Sequence, residues 1–385
     1  MKFTNAIIIK VGDLKGKFMT SNFALDMFLE KAVKSDASDI HLKVGERPML
    51  RRDGSILKID MPPLSREDMN QIVNKIVPDF IKDRLTNATD LDFSYNIQGI
   101  ARFRVNLSRS LTEYNLVFRV IPFVVSNFEK LHLPASMQQF ADYNNGIVLV
   151  TGPTGSGKST TLASFIDYIN AKYQKHIITV EDPVEFVFTD KKCKITQRQV
   201  GIDTPSFASG IKYALRQDPD VILVGEIRDI ETLDSALKAA ETGHLVFATL
   251  HTNDAVQTIY RIINMYNPED RDTVRRQLAQ TLRGTVAQKL VKKAVGKGRY
   301  PACEVLVVTP TVKDFIMKNE IDSIYDLIKN GSFNDMFSMN ASLHKLVEMG
   351  AITKESALEA SDDKNELEQF LRGVYRGTKN GDLYE

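Results

Sequence analysis

The 385-residue sequence has no tryptophan and only two cysteines, Cys193 and Cys303, which stand far apart. Two distant cysteines exclude a cysteine-rich zinc cluster and fit a chain that is kept reduced in the cytoplasm. No apolar run approaches the ~20 residues that cross a bilayer, and none near the N-terminus is long enough for a signal peptide. We therefore expect no direct membrane insertion, and any contact with a membrane to go through a partner.

An excess of charge is also absent, because 50 Lys and Arg face 49 Asp and Glu for a net charge of +1. This balance supplies no overall field for a nucleic acid or an anionic membrane. Apolar residues make up 43% of the chain and charged residues 26%, as in globular proteins. The length predicts roughly two or three domains.

A glycine-rich loop, residues 152–160, lies between an apolar run that predicts a buried strand and a stretch with helical periodicity. Its residues are Gly152, Pro153, Thr154, Gly155, Ser156, Gly157, Lys158, Ser159 and Thr160. In this context the pattern is a Walker A motif, whose backbone N–H groups surround phosphates. Lys158 would reach the terminal phosphates and Ser159 would offer its hydroxyl to Mg²⁺. We expect ATP and Mg²⁺ as cofactors.

Two acidic positions are candidates for the hydrolysis of that nucleotide. Glu226 follows the apolar strand 221–224, as in a Walker B motif, but Gly225 occupies the first acidic position, so Glu226 alone would serve Mg²⁺. Pairing of Glu226 with Arg228 is the structural alternative. In the segment 181–185 we favour Glu185 as the carboxylate that orients the attacking water, against a merely solvated acidic loop.

Histidines and arginines give weaker signals. His244 and His251 bracket the strand 245–250 and could sense the γ-phosphate, although from the residues alone a structural role is favoured. Arg102, Arg104 and Arg109 lie in the N-terminal part with few acidic neighbours. They could form a solvated strand face, or one of them could complete a site in another domain or subunit.

The element pattern predicts a mixed chain. An N-terminal extension covers residues 1–20, and residues 21–121 form an α+β domain that includes a helix from about Ser65 to Leu85. After a linker at 122–134, residues 135–308 alternate apolar strands with helices, which predicts a mainly parallel α/β sheet. Residues 309–385 are predicted to be helical.

The motifs together resemble those of the type II/type IV secretion ATPase superfamily. The loop at 152–160, the segment 181–185 and the stretch 215–229 resemble its Walker A, Asp box and Walker B, and residues 240–252 resemble its His box. Within the superfamily, the sequence is most similar to the PilT-type retraction ATPases of twitching motility. The segments 38–42 and 101–106 resemble the PAS-like N-terminal domain of that group.

The resemblance implies a RecA-like P-loop ATPase core, a PAS-like α+β domain before it and a helical region after it. It implies a cytoplasmic homohexamer that hydrolyses ATP and draws pilin subunits out of a type IV pilus through an inner-membrane platform protein. A paralogous pilus ATPase is a further possible partner, and nucleic acid is not one. In this group Glu185 matches the catalytic base and Glu226 the Mg²⁺ carboxylate, while His244 and His251 match residues of the working site.

Several alternatives stay open. Residues 311–316 keep the apolar positions of the C-terminal retraction motif but not the motif itself, so an accessory, PilU-like retraction motor is one alternative. A pilus-extension or secretion ATPase is another, although such proteins commonly carry a long N-terminal region and many carry a four-cysteine zinc insertion. A nucleic-acid translocase is disfavoured because no basic run supports a channel, and a GTPase switch lacks its guanine-binding motif.

Overall fold

The computed structural model describes residues 23–52, 54–86, 89–121, 125–330 and 335–373, which form two compact units, one up to residue 124 and one from residue 125. The predicted N-terminal extension at residues 1–20 lies outside the described residues. No helix among the described residues combines the length and apolar character that a membrane crossing requires.

The first unit is an antiparallel sheet of six strands in the order β3-β2-β1-β6-β5-β4, with two α-helices. Its elements are α1 (Leu25–Lys34), β1 (Asp39–Lys43), β2 (Met49–Arg52), β3 (Ser55–Lys58), α2 (Arg66–Ile76), a 3₁₀ helix (Asp79–Thr86), β4 (Asp90–Ile97), β5 (Ala101–Ser110) and β6 (Glu113–Ile121). Buried and half-buried residues alternate along β5, so one face of the sheet forms the core with α1 and α2.

Helix α2 is shorter than the sequence predicts. Ser65 begins it with a capping box, in which the Ser65 hydroxyl accepts from the N–H of Asp68. The helix ends before Val77, which adopts the extended conformation that a following proline imposes. The helical stretch predicted from about Ser65 to Leu85 is therefore divided into α2 and a 3₁₀ helix that begins at Asp79.

The second unit is a seven-stranded sheet in the order β13-β12-β7-β11-β10-β8-β9, with helices around it. Its strands are β7 (Gly146–Thr151), β8 (His176–Glu181), β9 (Lys194–Gln199), β10 (Val221–Val224), β11 (Leu245–Leu250), β12 (Leu282–Lys292) and β13 (Arg299–Val307). Its helices are a 3₁₀ helix (Ala135–Asp142), α3 (Lys158–Lys172), α4 (Phe207–Ala214), α5 (Ile230–Glu241), α6 (Ala255–Asn264), α7 (Arg271–Thr281), α8 (Pro310–Lys318), α9 (Ser323–Asn330), α10 (Met339–Glu348), α11 (Lys354–Ala360) and α12 (Lys364–Leu371).

Strands β7, β11, β10 and β8 are neighbours in this sheet, and each adjacent pair is parallel. Every residue of β7, β10 and β11 is buried, because helices cover both faces of a parallel sheet. The carboxyl ends of all four strands consequently lie at one edge, where open α/β sheets bind their ligands. The predicted α/β class is confirmed.

Strand β12 was not predicted from the sequence. It pairs parallel to β7 and antiparallel to β13, which makes the sheet mixed at this side. The same core contains Phe128 and Leu133 from the predicted linker, and Val312 and Ile316 from the predicted C-terminal helical region. These segments therefore pack with the α/β sheet rather than apart from it.

Both cysteines are buried in the second unit as free thiols. The Cys193 thiol donates to the Tyr173 carbonyl at 3.1 Å, and burial raises its pKa. Complete burial on β13 raises the pKa of the Cys303 thiol to about 12.

Candidate functional site

The glycine-rich loop follows β7, and its last three residues, Lys158 to Thr160, begin α3. Gly152, Gly155 and Gly157 have φ angles of 140°, 79° and 92°, a region that side chains with a Cβ rarely adopt. A Cβ on Gly155 would meet nothing within 4 Å, whereas one on Gly152 would lie 2.3 Å from the Gln288 carbonyl oxygen. The loop is thus packed against β12 on one side and open at Gly155.

Lys158 is the electrostatic centre of this loop. It begins α3, it is buried, and its Nζ donates to the carbonyls of Gly152 at 2.8 Å and Pro153 at 3.1 Å. Burial lowers the pKa of Lys158, and the carboxylates of Glu226 and Glu185 act in the opposite direction. The two predicted acidic residues therefore share the electrostatic environment of the loop lysine.

Glu226 lies just beyond β10, beside the end of β11. The Thr249 hydroxyl donates to the Gly225 carbonyl at 2.6 Å and fixes this turn. The Glu226 carboxylate forms an ion pair with Arg228, and its Oε2 is 3.6 Å from Nε2 of His251. The pairing with Arg228 considered above is present, but the same carboxylate also contacts a predicted site residue.

The segment after β8 presents Glu185 to solvent. The Glu181 carboxylate, at the end of β8, accepts from the hydroxyl of Thr179 at 2.6 Å and from Nε2 of Gln197 at 3.2 Å. Its other oxygen accepts from the Glu185 N–H at 3.4 Å, and desolvation raises the pKa of Glu181. Glu181 thus holds the backbone of Glu185 and leaves the Glu185 carboxylate exposed.

The two histidines lie at opposite edges of the sheet. His251 follows β11 at the loop edge, whereas His244 precedes β11, and a six-residue strand spans about 20 Å. The Nδ1 of His244 lies 2.9 Å from the Ala239 carbonyl, and the His244 carbonyl accepts from the N–H of Gly146. The structure brings His251 but not His244 to the loop of its own chain.

The predicted arginines lie in the first unit. Arg102 and Arg104 share one face of β5, where Arg102 donates to Ser94 and Arg104 is 3.7 Å from Asp92. Arg109, near the end of that strand, donates to the Leu85 carbonyl at 3.1 Å, and its guanidinium lies 5.0 Å from the Tyr114 ring centre.

Gln288 is a residue of the site that the sequence did not reveal. It is 2% exposed on β12, its Nε2 donates to the Ser156 carbonyl at 2.7 Å, and its Oε1 accepts from the Thr161 hydroxyl at 2.7 Å. A single glutamine in a strand of mixed polarity carries no motif, and the pairing of β12 with β7 places it beside the loop.

The donor set suits a magnesium nucleotide. Ser159 in the first turn of α3 supplies a hydroxyl and Glu226 a carboxylate, which are oxygen ligands of the kind that Mg²⁺ prefers. Among the described residues, no group of three His, Cys, Asp or Glu side chains could hold a metal ion by itself. A Mg²⁺ ion held here would therefore take its further ligands from phosphate oxygens and water.

A separate cavity of about 400 Å³ in the second unit contains no loop residue. Its acidic lining includes Asp254, Glu304 and Asp362. Glu304 accepts from the N–H of Ala255 at 2.9 Å, burial raises its pKa to about 7, and Lys289 pairs with Asp362 at 2.7 Å. These contacts join β12 and β13 to helix N-termini and give Glu304 and Asp362 a structural role.

Comparisons with known proteins identify relatives of this chain. A family model described as "Type II/IV secretion system protein" matches residues 16–297. A Pseudomonas aeruginosa protein named "Type IV pilus retractation ATPase PilT" is 42% identical over 328 residues, 85% of this chain and 95% of that protein. The "Type IV pilus ATPase PilU" of the same species is 36% identical over 347 residues, 90% of this chain and 91% of that protein.

A solved crystal structure of the pilus retraction motor PilT with bound ADP is similar to this chain, with a TM-score of 0.84 and 43% sequence identity. The match covers 89% of this chain and 98% of that one.

Lys158→Met should separate ligand binding from folding. In the unsubstituted protein, ADP at one hundred times its Kd should stabilise the fold by about 2.7 kcal/mol and raise Tm by roughly 5 °C. The variant should lose this rise, because methionine offers no charge to phosphate. Its Tm without nucleotide should change by less than about 3 °C, because the lost contacts are offset by the relieved burial of an ammonium group.

Differential scanning calorimetry with and without ADP makes this measurement. Lys172→Met, which changes an exposed lysine at the far end of α3, is the control and should keep the full rise. An undiminished rise in Lys158→Met would remove Lys158 from the nucleotide site.

Proposed function

This chain belongs to the type II/IV secretion system protein family, and we propose that it is the ATP-hydrolysing motor that retracts a type IV pilus. The family match confirms the resemblance drawn from the motifs, and the chain is an ATPase. The observation that carries the proposal is that Glu226 and Glu185, which follow neighbouring parallel strands, both act to raise the pKa of the buried Lys158.

ATP would bind with its phosphates in the loop at 152–160, where backbone N–H groups, Lys158 and the amino end of α3 supply positive potential. Ser159 and Glu226 would hold Mg²⁺, which neutralises charge on the phosphates. The Lys158 ammonium now donates to the Gly152 and Pro153 carbonyls, so phosphate oxygens would replace these two acceptors. Lys158 thereby exchanges partners without losing its hydrogen bonds.

Glu185 is our proposed general base. Its carboxylate is exposed, its backbone is fixed by Glu181, and it can accept the proton of the attacking water. We assign His251, whose Nε2 is 3.6 Å from Glu226, a role in sensing the γ-phosphate. We assign His244 a structural role, because its ring binds the carbonyl at the end of α5.

We further propose that the motor is a homohexamer in which an arginine from the first unit of one subunit completes the site of its neighbour. Arg104 and Arg109 are the leading candidates. Within the part of the chain that the structure describes, the Arg104 guanidinium lies 3.7 Å from the exposed Asp92 carboxylate, and that of Arg109 contacts one carbonyl and a tyrosine ring. A platform protein of the pilus machinery, at the cytoplasmic face of the inner membrane, would receive the motion.

Retraction is favoured over extension by the likeness to PilT along nearly the whole of that protein. The departure at residues 311–316 lies on α8, where Val312 and Ile316 are buried and the residues between them are partly exposed. The core positions of the motif are therefore kept and its outer face is altered. This alteration, together with the likeness to PilU, makes an accessory retraction motor the second candidate.

Deletion of the gene in the source bacterium tests the proposed function directly. We expect longer or more numerous pili and loss of twitching, because filaments would assemble but not withdraw, as electron microscopy and surface motility assays would show. Loss of all pili would establish extension instead. Normal twitching with a reduced pulling force would favour the accessory motor.

Glu185→Gln should retain ATP binding and lose about 10² to 10⁴ in turnover, as expected for a removed general base. Phosphate release and nucleotide binding by calorimetry would measure the two effects. Glu269→Gln, at an exposed position away from the strand ends, is the matched control and should hydrolyse ATP normally. Turnover within threefold of normal in Glu185→Gln would assign the base elsewhere.

Mixing inactive subunits tests the shared site. Arg104→Ala or Arg109→Ala subunits keep all the site residues of the second unit but lack the arginine. Glu185→Gln subunits keep the arginines but lack the proposed base. A random equal mixture in a head-to-tail ring should regain about one quarter of normal turnover, because that fraction of sites combines both intact parts. No recovery with variants of Arg102, Arg104 or Arg109 would contradict an arginine supplied by a neighbour.

A further inference from the structure

Gln288 contacts the phosphate loop with both ends of its amide. The Nε2 group donates to the Ser156 carbonyl and the Oε1 atom accepts from the Thr161 hydroxyl, each at 2.7 Å. All three residues are at most 3% exposed, so water does not substitute for either bond. One side chain from β12 therefore ties the middle of the loop to the first turns of α3.

The backbone around Gln288 is shaped to the same loop. Ala287 pairs with Thr151, which brings Gln288 beside Gly152. A Cβ on Gly152 would lie 2.3 Å from the Gln288 carbonyl oxygen, and one on Gly157 would lie 2.8 Å from its Nε2. The Gln288 backbone thus requires a glycine at 152, and its side-chain amide packs against Gly157, in addition to the positive φ angles of both.

We propose that Gln288 is a positioning residue for the phosphates of the bound nucleotide, an assignment that rests on the proposed ATP site. The carbonyl and N–H of a planar trans peptide point in opposite directions. A bond that holds the Ser156 carbonyl toward Gln288 therefore turns the Gly157 N–H away from β12, to the concave side of the loop. Successive N–H groups turned this way form the anion-binding surface of such loops.

Gln288 and Lys158 hold the loop in different ways. Lys158 bonds the Gly152 and Pro153 carbonyls with the ammonium group that also serves phosphate. The bonds of Gln288 use the Ser156 carbonyl and the Thr161 hydroxyl, so they persist when phosphate binds. Gln288 keeps the binding conformation of the loop populated before the nucleotide arrives, and the bound phosphates then reinforce it.

This role predicts a separation of binding from turnover. If loss of Gln288 lowers the population of the competent loop, the apparent Kd rises by the same factor. Once phosphates occupy the loop they impose its conformation, so kcat at saturating ATP changes little. A group that acted on the chemical step would lower kcat instead.

Gln288→Met tests the proposal, because methionine has a similar volume and can make neither hydrogen bond. In the full-length protein we expect the Kd for ADP, measured by calorimetry, and the KM for ATP to rise about tenfold, since two buried hydrogen bonds are lost. The kcat should stay within about threefold of normal. Thr161→Val removes one of the two bonds and should weaken ADP binding by a smaller factor.

Asn340→Leu is the matched control. Asn340 is also a buried amide, which donates to the Asp363 carbonyl at 3.0 Å and to Glu366 at 2.7 Å, away from the loop. The Asn340→Leu variant should lower Tm at least as much as Gln288→Met does, and it should leave the Kd for ADP unchanged. The double variant Gln288→Met/Thr161→Val should bind ADP no more weakly than Gln288→Met alone, because both changes break one linkage.

An unchanged Kd in Gln288→Met, an equal loss of affinity in Asn340→Leu, or a fall in kcat without a change in Kd would each overturn the proposal. If Gln288→Met does not fold, Thr161→Val decides by the same criteria. Failure of the unsubstituted protein to bind ADP would overturn both this proposal and the proposed function. Normal binding there with unchanged binding in the variants would overturn this proposal alone.

Discussion

The parallel pairing of β7, β11, β10 and β8 is the constraint on which the rest of the site depends. Parallel strands end at the same edge of the sheet. The segments that follow them, although distant in the sequence, therefore lie close together without needing side-chain contacts to hold them there. Burial of the Lys158 ammonium at this edge is tolerable because loop carbonyls accept its hydrogen bonds and carboxylates from two further strands offset its charge.

Local chemistry explains what the sequence could predict. The loop at 152–160 can be identified from its glycines, its lysine and the apolar runs on either side. Strands buried on both faces can be identified from their continuous apolar sequence. The edge position of Glu226 follows from the same rules, because this residue stands immediately after a strand. These features, together with the α/β class, could be derived before any coordinates.

Other features depend on long-range pairing and could not be derived. Strand β12 contains buried Thr285 and Gln288, so its sequence does not read as a core strand, and its role follows only from its place beside β7. His244 and His251 look equivalent in the sequence because both flank β11, yet the direction of that strand places them at opposite edges. The early end of α2 could have been predicted from Pro78, because a proline disfavours the helical conformation of the residue before it. Hydrophobic periodicity alone does not show this end.

The state of the two thiols bears on how such a motor can be studied and how it tolerates oxidative stress. Attack on peroxides or disulfides requires a thiolate, and a pKa of about 12 leaves Cys303 almost wholly protonated at neutral pH. Cys193 is sealed beneath the end of α3 and is likewise poorly reactive. A cysteine introduced at a chosen surface position would therefore accept a fluorescent probe selectively, so that single-molecule measurements of the working motor need no prior removal of its natural cysteines.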